Sequence, residues 1–429
     1  QAQEDKDRIT RYLQDALSGL GRDVQIEGFR GALSSRATMD KLTIADDTGI
    51  WLTLTDAVLD WNRASVLRGE IDINELTAAR IDLPRLGVSS GDPASPAAGT
   101  FALPELPVSL NIASIKADRV VLGAPVVGLP ATLTVAGSVS LVGGQGNAKL
   151  EIKRIEGPRG DFSLAAAFNN TSRVLGVDLS LSEAANGLSA NLLDLPGKPS
   201  LDLTVKGEGP LDSFAADISL RSDGQDRLAG RISTQAAETT PDAQTPNRVI
   251  DADISGDLTS LFLTQYQDFF GPNVALQSRV SLFDDGRISL DNLNLTAASL
   301  RLSGQMELSA DRLPQTFQLD AVLQDPGGEY VLLPLTGAET RVRAATITAG
   351  FDASRGDEWT LTGNLQDLLR DEVRLGRLVL DTKGTISRGE ARQVTARIDA
   401  SANGLVMTDP ALAKALGAEV TLGANILWR

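Results

Sequence analysis

Two pairs of adjacent acids, Asp46–Asp47 and Asp284–Asp285, are the side chains of this 429-residue chain best suited to acid and base work. Neighbouring carboxylates divide such roles when their surroundings push their pKa values apart. Both pairs stand just ahead of a glycine, in "DDTG" and "FDDGR". That is turn composition, and "FDDGR" between aliphatic runs predicts a hairpin. "DADISGDL", residues 251–258, has the look of a calcium loop but lacks its spacing and its closing Glu. "VGGQGNAKL", residues 142–150, has clustered glycines. A phosphate loop needs a strand leading into a helix with Lys and Ser/Thr in register. The following "LEIKRI" alternates as a strand, so the glycines predict a hairpin turn.

The chain contains no His and no Cys. Cys–His and Ser–His–Asp machinery and the usual zinc sites are therefore excluded. No catalytic residue, no cofactor and no metal site is expected. The net charge of −16 leaves no basic excess for phosphates, so nucleic acid is not an expected partner. A chain without Cys also suits an oxidising compartment. It begins at Gln1 rather than Met, as a processed protein or a fragment does, so an anchor or signal would lie outside it.

Little in the sequence could position an active site, but much could build a surface. Residues are 42% hydrophobic and only 4% aromatic, with 40 Gly and 18 Pro spread through the chain. Residues 1–23 carry helical spacing at Ile9, Tyr12, Leu13, Ala16, Leu17 and Leu20. From Val24 onward the period is two, in short pieces about ten residues apart separated by Gly, Asp, Asn and Pro. Residues 46–62 read as a strand, a turn and a second strand, with Ile50, Leu52 and Leu54 on one face and Trp51, Thr53 and Thr55 on the other. The uncharged run 120–137 has Pro125, Pro130 and alternating Leu133 and Val135, which predicts strands and not a membrane helix. Short helices are expected at 183–197, 257–272 and 408–417. Polar, Pro-containing stretches at 87–100 and 235–247 are expected to be linkers. They delimit an opening β module (24–86) and two further β segments (101–234 and 248–429).

The expected fold is all-β: one elongated, curled sheet folded lengthwise around an apolar groove, with a few short helices. Candidate groove-lining residues are Leu42, Ile44, Ile50, Leu52, Leu54, Ile71, Ile73, Ile81 and Leu83. They continue with Leu110, Ile112, Leu133, Val135, Leu201, Leu203, Val205, Ile218, Leu220, Leu293, Leu295, Leu300 and Leu302. An ordinary sandwich or barrel core is the plainer reading of the same alternation. An open apolar face would instead be a binding surface, since large exposed apolar patches are seldom idle.

A resemblance sharpens this reading. Gly28 and Gly31 at a strand entry, "LTIADDTGIWLTL", "LDW" at 59–61, "VLRGEI" and "LTAARIDLPR" follow one another in the order seen in the TamB family. "LPELPVSLNIASIKADRVVLGAPV", "GEGPLDSF" and "TQYQDFFGPNVAL" resemble later parts of it. The likeness covers most of residues 24–310 and then thins. That family is the inner-membrane-anchored subunit of the translocation and assembly module, within the AsmA-like, bridge-like lipid transfer superfamily. The resemblance implies a periplasmic location in a Gram-negative bacterium and phospholipid acyl chains as cargo between inner and outer membranes. It also implies support of outer-membrane protein assembly and an outer-membrane barrel partner, TamA, reached through regions outside this chain. It brings no catalytic residues. A structural or adhesive β-solenoid with a dry core is the competing expectation, and a β-helical polysaccharide-processing enzyme comes third.

Overall fold

Alternation along the chain becomes a ladder of antiparallel strands, because each strand can bury one face only by continuing its neighbour's pattern. The computed structural model describes residues 23–31, 35–66, 68–87, 109–236, 245–335, 337–387, 393–407, 417 and 419–428. The helix expected at 1–23, the linker beyond Gly87 and the helix expected at 408–417 lie outside the described residues, Asp23 and Gly417 excepted. The protein is 68% strand and 7% helical, and its 25 described strands belong to one large mixed sheet that is not closed into a barrel. This is the all-β, helix-poor class that the alternation predicts.

The chain divides into two compact units at Gln225/Asp226. In the first, β1 (Asp23–Glu27), β2 (Arg36–Asp46), β3 (Gly49–Trp61) and β4 (Glu70–Leu83) form an antiparallel run. β5 (Ser109–Leu122) pairs parallel with β4. β6 (Ala131–Val142), β7 (Gln145–Arg154), β8 (Gly160–Asn169), β9 (Val174–Glu183), β10 (Leu201–Pro210) and β11 (Ala215–Ser222) continue antiparallel.

The second unit begins with β12 (Gln225–Ala236), β13 (Arg248–Gly256), β14 (Val274–Leu282), β15 (Ile288–Thr296), β16 (Leu300–Leu308) and β17 (Pro314–Gln324). Two short strands, β18 (Val331–Leu332) and β19 (Thr340–Val342), lie in the connection to β20 (Ala344–Asp352). β20 pairs directly with β17. β21 (Glu358–Arg370), β22 (Val373–Ser387), β23 (Gln393–Asn403), β24 (Val406–Met407) and β25 (Glu419–Trp428) follow. β12 and β13 pair as far as Ala236↔Arg248, so the stretch expected as a linker at 235–247 joins two paired strands.

Two local expectations need correction and one holds. Residues 49–61 form one strand, not two; Asp56 sits inside it with φ 50 and produces a kink instead of a turn. Asp tolerates the left-handed region because its short polar side chain bonds locally. The kink is shared. Apolar positions change phase between Met39 and Leu42, between Leu54 and Ala57, between Ala78 and Ile81, and between Ala117 and Val120, yet they stay in register across β2 to β5. Stacked irregularities of this kind bend a sheet along one line. The glycines at 143–144 and the acids at 284–285 do sit in hairpin turns, with Gly143, Gly144 and Gly286 at positive φ. The helix expected over 257–272 is broken into two 3₁₀ turns and the single turn Gln267–Phe270.

A pattern not evident in the residues themselves appears in the connections. The links 62–69, 84–108 and 237–247 are also long, but the connections 123–130, 184–200, 257–273, 325–343 and 404–418 recur at intervals of four main strands. Antiparallel pairing places those of the first unit at one end of its strands, and likewise those of the second unit. We call this the crossover end of each unit.

Candidate functional site

The acid pairs first expected to suit chemistry are clips. Asp46 accepts two hydrogen bonds from Arg85, at 2.7 and 2.5 Å, and its side chain is only 5% exposed. It also accepts the Thr48 N–H, and Arg85 donates to the Gly49 carbonyl. The β2–β3 turn is thereby tied to the segment after β4. Asp285 accepts from the Arg287 backbone and guanidinium, which holds its carboxyl below the usual range. Asp284 accepts from the Asn247 amide. No group of three or more potential metal-ligating residues is found among the described residues.

The feature that extends through the ladder is a face. In the first unit Met39, Ala57, Ala78, Ala117, Val135, Ile152, Phe162, Leu181, Leu203 and Leu220 are successive cross-strand partners from β2 to β11. The adjacent row runs Ala37, Leu59, Leu76, Ile115, Gly137, Leu150, Leu164, Leu179, Val205 and Ile218 through the same pairings. Gly137 fits here because a Cβ would meet the Lys149 carbonyl at 2.6 Å. In the second unit one row runs Gly230, Ile254, Leu276, Leu295, Leu302, Ala321, Ile347, Gly363, Leu380, Ala400 and Leu422. None of these rows contains a polar side chain.

Every predicted groove residue in each unit stands on this apolar face except Ile50. Leu52 pairs with Ile44, but Ile50 pairs with Ala45, because the register slips by one residue at Trp51. Ile50 therefore joins the opposite face and is 51% exposed. Strict period-two reading carried it to the wrong side. The prediction also stopped at Leu302. Phe317, Leu319, Leu323, Ile347, Phe351, Leu361, Leu365, Leu378 and Ile398 extend the face beyond it. Their alternation, as in "TFQLDAVLQ", was the available signal.

The opposite face is polar and laced with cross-strand bonds. Ser182 donates to Asp202 at 2.7 Å, and Arg279 to Asp251 at 2.7 Å. Glu156 bridges Thr132 and Arg119, and those hydrogen bonds hold its carboxyl below the usual range. Comparison with family models, curated proteins and solved structures gives no match. The reading of the face therefore rests on its own geometry.

Burial along the face is uneven. From Leu59 to Ile218 every member of the second row is only half-buried, apart from Leu76, which is 39% exposed. A closed sandwich core would bury such residues fully. Two contiguous buried clusters lie under long connections, while other buried side chains, such as Phe168, Leu211 and Phe214 in the first unit and Phe283 and Phe351 in the second, stand at the opposite strand ends. In the first unit Val126, Val127 and Leu188, from the helical turns Ala124–Val127 and Leu188–Leu192, pack on Val120, Leu122, Ala131 and Leu133. The buried Glu183 accepts the Ser189 N–H at 2.8 Å and so fixes the second of these turns. In the second unit Phe269 and Phe270 pack with Leu300, Leu323, Val331, Val342, Ala345 and Leu365. The rings of Phe262 and Phe270 stack at 3.6 Å. The Phe269 and Phe270 carbonyls accept from Ser299 and Ala298 at 3.0 and 2.9 Å, which anchors the turn to the β15–β16 hairpin. Each unit thus has a buried apolar cluster under the connections of its crossover end, with half-buried positions such as Leu150, Leu164 and Leu179 farther along the face of the first.

Two charged residues interrupt the face of the first unit and were not foreseen. Arg154 stands opposite Leu133, and Glu183 opposite Leu201. Gly160 lies between them in the same row, with space for a Cβ 3.5 Å from the Arg154 Cβ and 3.7 Å from the Glu183 Cγ. No spacing rule separates these from the solvent-facing charges next to them.

Proposed function

We propose that this chain is a non-enzymatic lipid conduit of the AsmA-like, bridge-like lipid transfer type, similar to the TamB family. Phospholipid acyl chains lie along its apolar face on their way between the inner and outer membranes of a Gram-negative envelope. The supporting observation is the set of apolar cross-strand rows that run the length of each unit's face, one of which, from Leu59 to Ile218, stays largely half-buried. A two-chain lipid crossing water exposes about 30 methylenes, at ~0.8 kcal/mol each, or about 24 kcal/mol in all. A continuous apolar face removes most of that exposure at every step, and its aliphatic lining holds no fixed polar partner that would trap one headgroup. The periplasmic setting, the membrane anchor and the barrel partner TamA follow from the resemblance and are part of the proposal.

A structural β-solenoid with a dry core is the second reading, favoured by the fully buried clusters under the connections. A photo-crosslinking residue at Leu203 or Leu54 separates the two when compared with Thr204 or Thr53. The conduit requires phospholipid adducts in intact cells at the leucines and few at the threonines. Equal labelling on both faces, or no lipid in organic extracts of the purified chain, refutes it.

A further inference from the structure

Two exposed large aliphatic residues of the second unit lie on the connections 257–273 and 325–343. Leu263 is 53% and Leu335 52% exposed. They belong to one surface, because the Tyr266 hydroxyl reaches the Leu335 carbonyl at 3.5 Å, and the Tyr266 N–H donates to the Leu263 carbonyl. Beneath them Phe269 and Val342 are buried in a common cluster, so the patch sits on a firm base. The same two connections carry Asp257, Asp268, Asp325, Glu329 and Glu339 against only Arg341 and Arg343. Both cations are already engaged: Arg341 with Glu339 at 3.1 Å, and Arg343 with Asp367 at 3.2 Å. Asp268 and Glu329 are exposed and have no cationic partner among the described residues. The opposite strand ends are more balanced, with Asp284, Asp285, Asp311 and Asp357 against Arg287, Arg312 and Arg355.

We propose that Leu263, Tyr266 and Leu335 form a docking patch for a basic amphipathic polypeptide segment of a partner protein. Charge selects this occupant. An anionic bilayer would be repelled by the acidic surround, and a second copy of this chain would set acid against acid. A segment with two or three aliphatic side chains flanked by Lys or Arg meets both features at once. The patch is separate from the apolar face of the sheet, and its use does not depend on lipid transfer.

The test uses the purified chain and a fluorescent amphipathic helical peptide of Leu and Lys, with a Leu/Glu peptide of the same pattern as control. The Leu/Lys peptide binds, and added salt weakens it. Leu263→Ser with Leu335→Ser, and separately Asp268→Lys with Glu329→Lys, each raise Kd about tenfold while the circular dichroism spectrum is unchanged. A photo-crosslinker at Leu335 captures the peptide, and one at Arg312 does not. Equal affinity for the variants, or equal binding of the Leu/Glu peptide, overturns the proposal. Binding of phosphatidylglycerol vesicles that the double variants abolish would make a bilayer the occupant instead. Self-association lost in the same variants would make it a second copy.

Discussion

The two units solve one problem with different residues. Each presents an apolar sheet face and covers it near the crossover end. The first uses small aliphatics, Val126, Val127 and Leu188, which remain partly buried themselves. The second uses an aromatic group, Phe262, Phe269 and Phe270, reinforced by the short β18–β19 pair. The first bends along a line of stacked kinks through β2 to β5, whereas in the second the irregularities fall on separate strands, at Asp291 in β15 and at Gln315 in β17. What the units share is a buried cluster beneath connections at the crossover end. They do not share the identity of the covering side chains, which explains why no repeat shows at the level of residues.

The sharpest way to break this comparison is to place a charge on the covered and on the open part of the face. Val342→Arg puts a guanidinium where the wild-type residue is 0% exposed. An unpaired charge there costs several kcal/mol, enough to unfold a domain of ordinary stability. Leu203→Arg, at a half-buried position on the face of the first unit, leaves the fold intact because the guanidinium reaches water. Urea denaturation followed by circular dichroism distinguishes them; matched losses would mean that the rows at Leu203 are as closed as the cover.

Removing cover without adding charge gives the next largest effect. Phe269→Ala should destabilise by about 3–5 kcal/mol, whereas Leu188→Ala, half-buried, should cost about 2 kcal/mol or less. A larger loss at Leu188 would reverse the ranking of the two covers.

Acid then sharpens the contrast in electrostatics. Hydrogen bonds from Arg374 and then Arg343 depress the Asp367 carboxyl, so its folded pKa lies below the unfolded one. The stability it contributes is present above about pH 4, the ordinary carboxylate value, and fades as pH falls through the depressed folded value. Asp367→Asn should therefore lower Tm at pH 7 and flatten the decline of Tm below about pH 4. An unchanged acid profile would show that this bridge is incidental. The smallest effect expected is none: EDTA should leave Tm unmoved, and a drop of several degrees would reveal a structural metal.

Much of this organisation was legible in the sequence wherever one strand repeats a simple period. Leu201, Leu203 and Val205 alternate without fault, and they share one face. Legibility failed where backbone geometry changes phase. Ile50 looks identical to Leu52 until the slip at Trp51 is known, and Asp56 resembles a turn residue because Asp in the left-handed region serves turns and kinks alike. The covering segment at 257–272 announced itself by its aromatics and by Gly271–Pro272, but the strands it would cover were not written in it. Those partners, β16 to β22, come later in the chain and are chosen by packing. Arg154 and Glu183 were hidden for a related reason, since at a strand's last residue either face is available to a long charged side chain.

The interval of four strands between long connections also bears on how such a chain can lengthen. An even number of antiparallel strands returns the chain to the end from which it started. A block of four strands and its connection can therefore be duplicated or deleted with each later cover still landing on the same end. Insertion of a single strand would move every subsequent cover to the other end and turn outward the side chains that had faced the apolar surface. Growth by whole blocks is neutral to the design and growth by odd strands is not, so related chains of different length should differ by even numbers of strands.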